Sequence, residues 1–196
     1  AGNLYSQMHT TLLDRFGGVA KSMPVTAVLF LIATVAICAL PPLNGFVGEF
    51  LIYLGIFNSV RDGVSTLAAA GALLSLALIG GIVVLAFSKL YSVVFLGSPR
   101  DHHVAEATEV DGYRIAAMVI PVAGILFIGI VPQFAIGITE RVAMQFTLAA
   151  KPVINSLAGS TLVSISLVAL TLIILTTLLY LWKQRKQSSR TVEQGP

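Results

Sequence analysis

Charge is what this sequence has least of. Only 11% of its 196 residues are charged, against about 25% in an ordinary soluble domain, while 56% are hydrophobic and the mean hydropathy is +0.90. Water is thereby excluded as the main solvent. Cysteine is almost missing as well. Cys38 stands alone, so no intrachain disulfide can form and no cysteine-based zinc or iron–sulfur site can assemble, which puts any redox centre in partners. No phosphate loop, dinucleotide fingerprint or nucleophile–base constellation is present, and no cofactor is expected. The first 23 residues contain no apolar run, so no secretory signal is expected. The net charge of +3 comes from basic residues scattered at helix ends rather than striped along one face, which argues against nucleic acid.

What the chain does have is long uncharged apolar stretches: Pro24 to Gly48, Val64 to Ser88, Ile115 to Thr139 and Pro152 to Trp182. Each reaches the roughly 20 residues that a bilayer core requires. The fold class expected is all-α, a multi-span transmembrane helix bundle with one discontinuous helix. Residues 1–23 form a loop segment, residues 24–182 the transmembrane domain, and residues 183–196 a basic tail expected to be disordered.

Within the domain, Met23-Pro24 opens the first apolar helix with Ser22 as its expected cap. That helix is expected to stop at Leu40, because neither Pro41 nor Pro42 can donate a backbone hydrogen bond and each ring clashes with the preceding turn. Leu43-Asn44-Gly45 then allow a new start, with Asn44 as structural cap and a second piece over residues 46–58. Further spans are expected at about 65–96, closed by Gly97 and Pro99, at 113–138 with a kink at Pro121, and at 157–182. Residues 140–158 read as a short interfacial amphipathic piece.

The broken region 24–58 can cross the bilayer once or twice, and basic residues decide between the two. A single crossing puts Arg15, Lys21, Lys89, Arg100, Arg114, Lys183, Arg185, Lys186 and Arg190 on the side of both termini, nine against three. Two crossings give seven against five. The single interrupted crossing is therefore the reading taken, with four crossings in all, an inner-membrane location and both termini cytoplasmic.

Non-helical backbone survives at membrane depth only where protein or water covers it, so Pro41, Pro42, Asn44 and Gly45 should line a polar interior. Glu49 follows closely. It is the ionisable residue left inside the apolar segments once Lys89 is placed at a helix end, and an ionised acid there is costly, so it reads as a proton-holding group. The plainer reading is a first-turn acid complementing the helix dipole. Lys89 reads as a snorkelling lysine beside Tyr91, or alternatively as a proton-relay partner. His102-His103 lack a third metal ligand at suitable spacing and read as a solvated loop, and no metal site is expected.

The runs Gly17-Gly18-Val19-Ala20-Lys21-Ser22-Met23-Pro24, Leu40-Pro41-Pro42-Leu43-Asn44-Gly45-Phe46-Val47-Gly48-Glu49-Phe50 and Lys89-Leu90-Tyr91-Ser92-Val93-Val94-Phe95-Leu96-Gly97-Ser98-Pro99-Arg100 resemble the antiporter-like, proton-translocating membrane subunits of complex I and related hydrogenases. The likeness is strongest to the large membrane subunits of hydrogenase-4 and formate hydrogenlyase. It covers about residues 10–138 and corresponds to the C-terminal part of such a subunit. The resemblance implies that Glu49 is the terminal member of a line of protonatable residues, and that its partner lysine or histidine sits on helices this chain lacks. It also implies a non-catalytic role in an oxidoreductase complex, with other membrane subunits and the lipid bilayer as partners. A subunit of a multisubunit sodium/proton antiporter and a membrane scaffold without transport of its own are the alternative readings.

Overall fold

The computed structural model describes residues 2–101, 104, 106–146 and 154–192, and among them there are helices and no strand. Two short helices, α1 (Gly2–Met8) and α2 (Val19–Ser22), flank a single 3-10 turn at Leu13–Arg15. They precede α3 (Pro24–Ile37), α4 (Asn44–Arg61), α5 (Thr66–Phe95), α6 (Gly112–Ile130), α7 (Pro132–Phe146) and α8 (Ile154–Val192). Three of these carry stretches long and apolar enough to cross a membrane: Thr66–Phe95, Gly112–Ile130 and Gly159–Lys183. The shorter α3 is also apolar.

The antiparallel course of the broken helix along α5 follows from its contacts. Near its start, Phe30 of α3 stacks on Phe95 and Tyr91 at the end of α5, with ring centroids 5.1 and 6.4 Å apart. Further on, Glu49 of α4 lies against Gly80 in the middle of α5. The two pieces therefore follow one another along a single neighbour. Helix α6 runs beside α3 in the same direction, with its first residues near the start of α3 and Gly129 at the Pro41-Pro42 break.

One apolar cluster closes the end where the chain starts. Met8, Phe16, Val19, Met23 and Ala27 are packed there with Val94, Phe95, Val104, Ala107 and Val110 from the end of α5 and the loop after it. The glycine pair Gly17-Gly18 makes this possible. Gly18 has φ +66 and donates its N–H to Leu96 O at 2.8 Å, and a β-carbon on it would stand 2.9 Å from Gly97 O. Elsewhere few side chains are buried, because in lipid an outward Leu or Ile is already in an apolar solvent and helices associate through close-packed small residues instead. Ala36, Gly45, Gly129 and Ser166 supply those contacts here.

Several expectations change. Helix α3 ends at Ile37 and turns through Cys38 and Ala39, the latter at φ +53, before reaching the prolines. Ser22 does not cap α3; its hydroxyl bonds to Val19 O and Val104 O, and Met23 occupies the cap position. Asn44 is the first residue of α4 and makes no cap bond, since extended Leu43 precedes it. The block expected at 113–138 is two helices: Pro132 has no N–H to continue the ladder of α6, and a new helix starts there. Pro121 lies inside α6. Residues 140–146 belong to α7, and residues 147–153 of the expected interfacial piece lie outside the described residues. The tail expected to be disordered is helical to Val192, with residues 193–196 outside the described residues.

Candidate functional site

The break between α3 and α4 is held open by backbone contacts. Leu40 donates its N–H to Val35 O and Leu43 to Leu40 O, which folds the Leu40–Leu43 stretch into a turn rather than a helix. Gly45 then meets the last turn of α3 directly, since a β-carbon on it would lie 1.9 Å from Ala36 O. On the other side Gly129 of α6 meets the break: its β-carbon would lie 2.0 Å from Pro42 O. Gly129 is itself next to the second interruption. Its carbonyl accepts the hydroxyl of Ser166 from α8 at 3.0 Å, in a part of the structure where Pro132 has ended the α6 ladder. The two interruptions thus pack against each other.

A groove of about 600 Å³ opens beside the first break. Its walls are mostly small or aliphatic: Ala33, Ala36 and Ala39, then Gly45 and Gly48, with Ile79, Gly80 and Val83 from α5 and Ile125 from α6. Polar side chains enter it from Asn44, Glu49 and Cys38. Glu49 is half-buried, and a β-carbon on Gly80 would come within 3.4 Å of its Oε1, so the absence of a side chain on α5 leaves room for the carboxyl group. Tyr53 stands one turn further along α4, on the same face as Glu49. A lone carboxyl group in a groove walled by methyl groups and backbone can hold and release a proton, and a freed helix end beside it offers polar backbone to water.

Of the residues singled out in the sequence, Pro41, Pro42, Asn44, Gly45 and Glu49 are brought together at this break. Lys89 is not with them. It is exposed and lines a separate groove with Leu13 and Asp14, nine residues beyond Gly80 on α5, about 13 Å along the helix axis. Among the described residues no group of three or more His, Cys, Asp or Glu comes together to hold a metal ion, and His102 and His103 lie outside the described residues.

Two acids escaped the sequence reading. Glu109, in the polar loop before α6, accepts hydrogen bonds from the backbone N–H groups of Val25 and Thr26 at 2.8 and 3.3 Å and from the Thr26 hydroxyl at 2.5 Å. It supplies the cap that α3 lacks in its own sequence. Burial pushes the Glu109 carboxyl up, but the bonds from Thr26, Val25 and Val110 outweigh it and hold it below the ordinary carboxylate range. Glu140 on α7 stands one turn beyond fully buried Ile136, and its Oε1 is buried without a hydrogen-bond partner. Its place in the series Pro132, Ile136, Glu140, each four residues after the last, was the signal available in sequence.

Residues 1–76 match the family described as NADH:quinone oxidoreductase/Mrp antiporter, transmembrane. The chain is similar to hydrogenase-4 component B of Escherichia coli (strain K12), 37% identical over 149 residues, which are 75% of this chain and 22% of that protein. It is similar to formate hydrogenlyase subunit 3 of the same organism, 37% identical over 110 residues, 55% of this chain and 18% of the relative. NADH-quinone oxidoreductase subunit M of Rickettsia prowazekii (strain Madrid E) is 33% identical over 132 residues, 67% of this chain and 25% of the relative. The chain therefore spans about a fifth to a quarter of the length of these relatives.

Proposed function

We propose that this chain, a stretch of an antiporter-like membrane subunit of the complex I and hydrogenase kind, carries one station of a proton path at Glu49 and serves a redox-driven complex. The observation that carries the reading is the half-buried Glu49 carboxyl in the open groove at the helix break. An ionised carboxylate in such surroundings is stabilised by an approaching cation and destabilised when the cation leaves, so partner motion can load and unload its proton.

The partner cation belongs to helices outside this chain in this reading, because Lys89 sits at the end of α5 beside Asp14. Four crossings are formed by α3 with α4, by α5, by α6 with α7, and by α8, in the inner membrane with the basic end of the bundle cytoplasmic. Glu49→Gln keeps side-chain size and hydrogen bonding while removing the titration. The mutant complex should assemble and pass electrons to a soluble acceptor, with much of its coupled proton pumping lost in sealed vesicles. Unchanged proton-to-electron stoichiometry would return Glu49 to a structural acid and favour the scaffold reading.

A second reading, sodium/proton antiport, is favoured by the family description that joins the two kinds of protein. Sodium-dependent proton release in vesicles without an electron donor would select it.

A further inference from the structure

We propose that Glu109 is a positioning residue for the Glu49 groove, fixing the broken helix in depth and rotation through its N-terminus. The first turn of a helix presents backbone N–H groups with no intrahelical partner. Pro24 removes one of them at the first position, so Val25 and Thr26 are the first donors α3 offers, and both bond to Glu109. The Thr26 side chain, 2% exposed, adds its hydroxyl to the same carboxylate, and Val110 N–H adds a fourth donor to Oε1. Four donors on one group require two acceptor oxygens. A carboxylate has them, whereas an amide would turn its NH2 toward donors, and the negative charge also complements the positive end of the helix.

Glu109 can hold α3 because its own segment is held. Val104, Ala107 and Val110 are buried in the cluster with Met23, Ala27, Val94 and Phe95, and Asp111 then starts α6. The carboxylate is thus anchored on both sides, to the end of α5 and the beginning of α6. From Thr26 to Cys38 is about 18 Å of one helix, and a helix of this length moves as a unit. The far end of that unit is the groove wall, formed by Ala36, Ile37 and Cys38. An anchor at Val25 and Thr26 therefore sets where the break, and with it Glu49, comes to rest.

Cys38 is the sole cysteine of the chain and lines the groove, which makes it the reporter. In the assembled membrane complex, its alkylation by a small maleimide, followed by peptide mass, should be roughly fivefold faster in Glu109→Gln and Glu109→Ala, the factor expected for loss of a typical cap. Glu109→Asp should keep the rate within about twofold of the parent, since a shorter carboxylate still accepts from the same donors. An unchanged rate in both Gln and Ala variants overturns the proposal. Should those two fail to assemble, Thr26→Val removes one bond of the four and should raise the rate about twofold; no change there overturns it equally.

The effect on proton pumping rests on the reading of Glu49 given above, but the labelling does not. Faster labelling with normal pumping in both Glu109→Gln and Glu49→Gln upholds the positioning role and overturns the Glu49 reading. Normal labelling in the Glu109 variants with pumping lost in Glu49→Gln does the reverse.

Discussion

Gly129 stands against Pro42 so closely that a β-carbon on the glycine would lie 2.0 Å from the proline carbonyl oxygen and 2.8 Å from the Leu43 α-carbon. The interrupted helix α3–α4 and the interrupted pair α6–α7 meet at this point, each at its own proline. Neither backbone can yield without moving a helix. The two breaks thereby pack into one layer of irregular backbone, and the cost of unpaired amides in hydrocarbon calls for protein or water over what that contact leaves open.

Gly129→Ala should therefore be far worse than an alanine on an ordinary helix face. Overpacking in a close-packed interior costs about 1–3 kcal/mol, and here the atoms met are backbone. The expected outcome is a lower thermal unfolding temperature in detergent and a changed Cys38 labelling rate. Gly137→Ala, where a β-carbon meets nothing within 4 Å, is the control that should leave both unaltered.

Ser166→Ala should destabilise by about 1 kcal/mol, measured by thermal or denaturant unfolding in detergent. The serine is 4% exposed and its hydroxyl satisfies the Gly129 carbonyl. Ser166→Thr keeps the hydroxyl and should recover more of the loss than Ser166→Cys, whose thiol is a weak donor.

Glu109 makes the stability of the chain depend on pH with a defined sign. Its folded carboxyl is held below the ordinary range, so its contribution is fully present above the unfolded value and disappears as pH falls through the folded one. Glu109→Gln should therefore unfold more easily than the parent at neutral pH, by about 1 kcal/mol. The difference should shrink as the pH is lowered through and below the carboxylate range. A gap that widens in acid would contradict the assigned cap.

Topology has a separate test. With Cys38→Ala as background, Asp62→Cys in the turn after α4 and Ser98→Cys in the loop after α5 should label from opposite sides of a sealed membrane, Ser98→Cys from the cytoplasm. Labelling of both from one side would show that α5 does not cross. A third cysteine, Thr11→Cys, reads the broken region: it should label from the same side as Ser98→Cys if the region 24–58 crosses once, and from the side of Asp62→Cys if it crosses twice.

The first break was legible because its cause is local: two consecutive prolines forbid a helix whatever surrounds them. Glu49 stands out in the sequence for a similar reason, as an acid inside an apolar run, and the structure puts it beside that break. The second break was not legible. Pro121 and Pro132 both sit in one apolar stretch, yet the structure carries α6 through the first and ends it at the second. What separates them is tertiary, namely the contact of Gly129 with Pro42 and the bond from Ser166. The cap on α3 was hidden by distance, since Glu109 lies 84 residues from Val25. Local capping rules point to Ser22 and Asn44, and both cede the role to backbone geometry or to a residue far along the chain.

Whether Glu49 changes protonation during turnover is measured most directly by infrared difference spectroscopy of the complex, initiated by reduction, with Glu49→Gln as comparison. A carboxyl C=O band should appear or vanish between oxidised and reduced states, shift on exchange into deuterated water, and be missing from the Glu49→Gln spectrum. The same band persisting in Glu49→Gln, or no carboxyl change in the parent complex while it pumps, would contradict a proton station at Glu49.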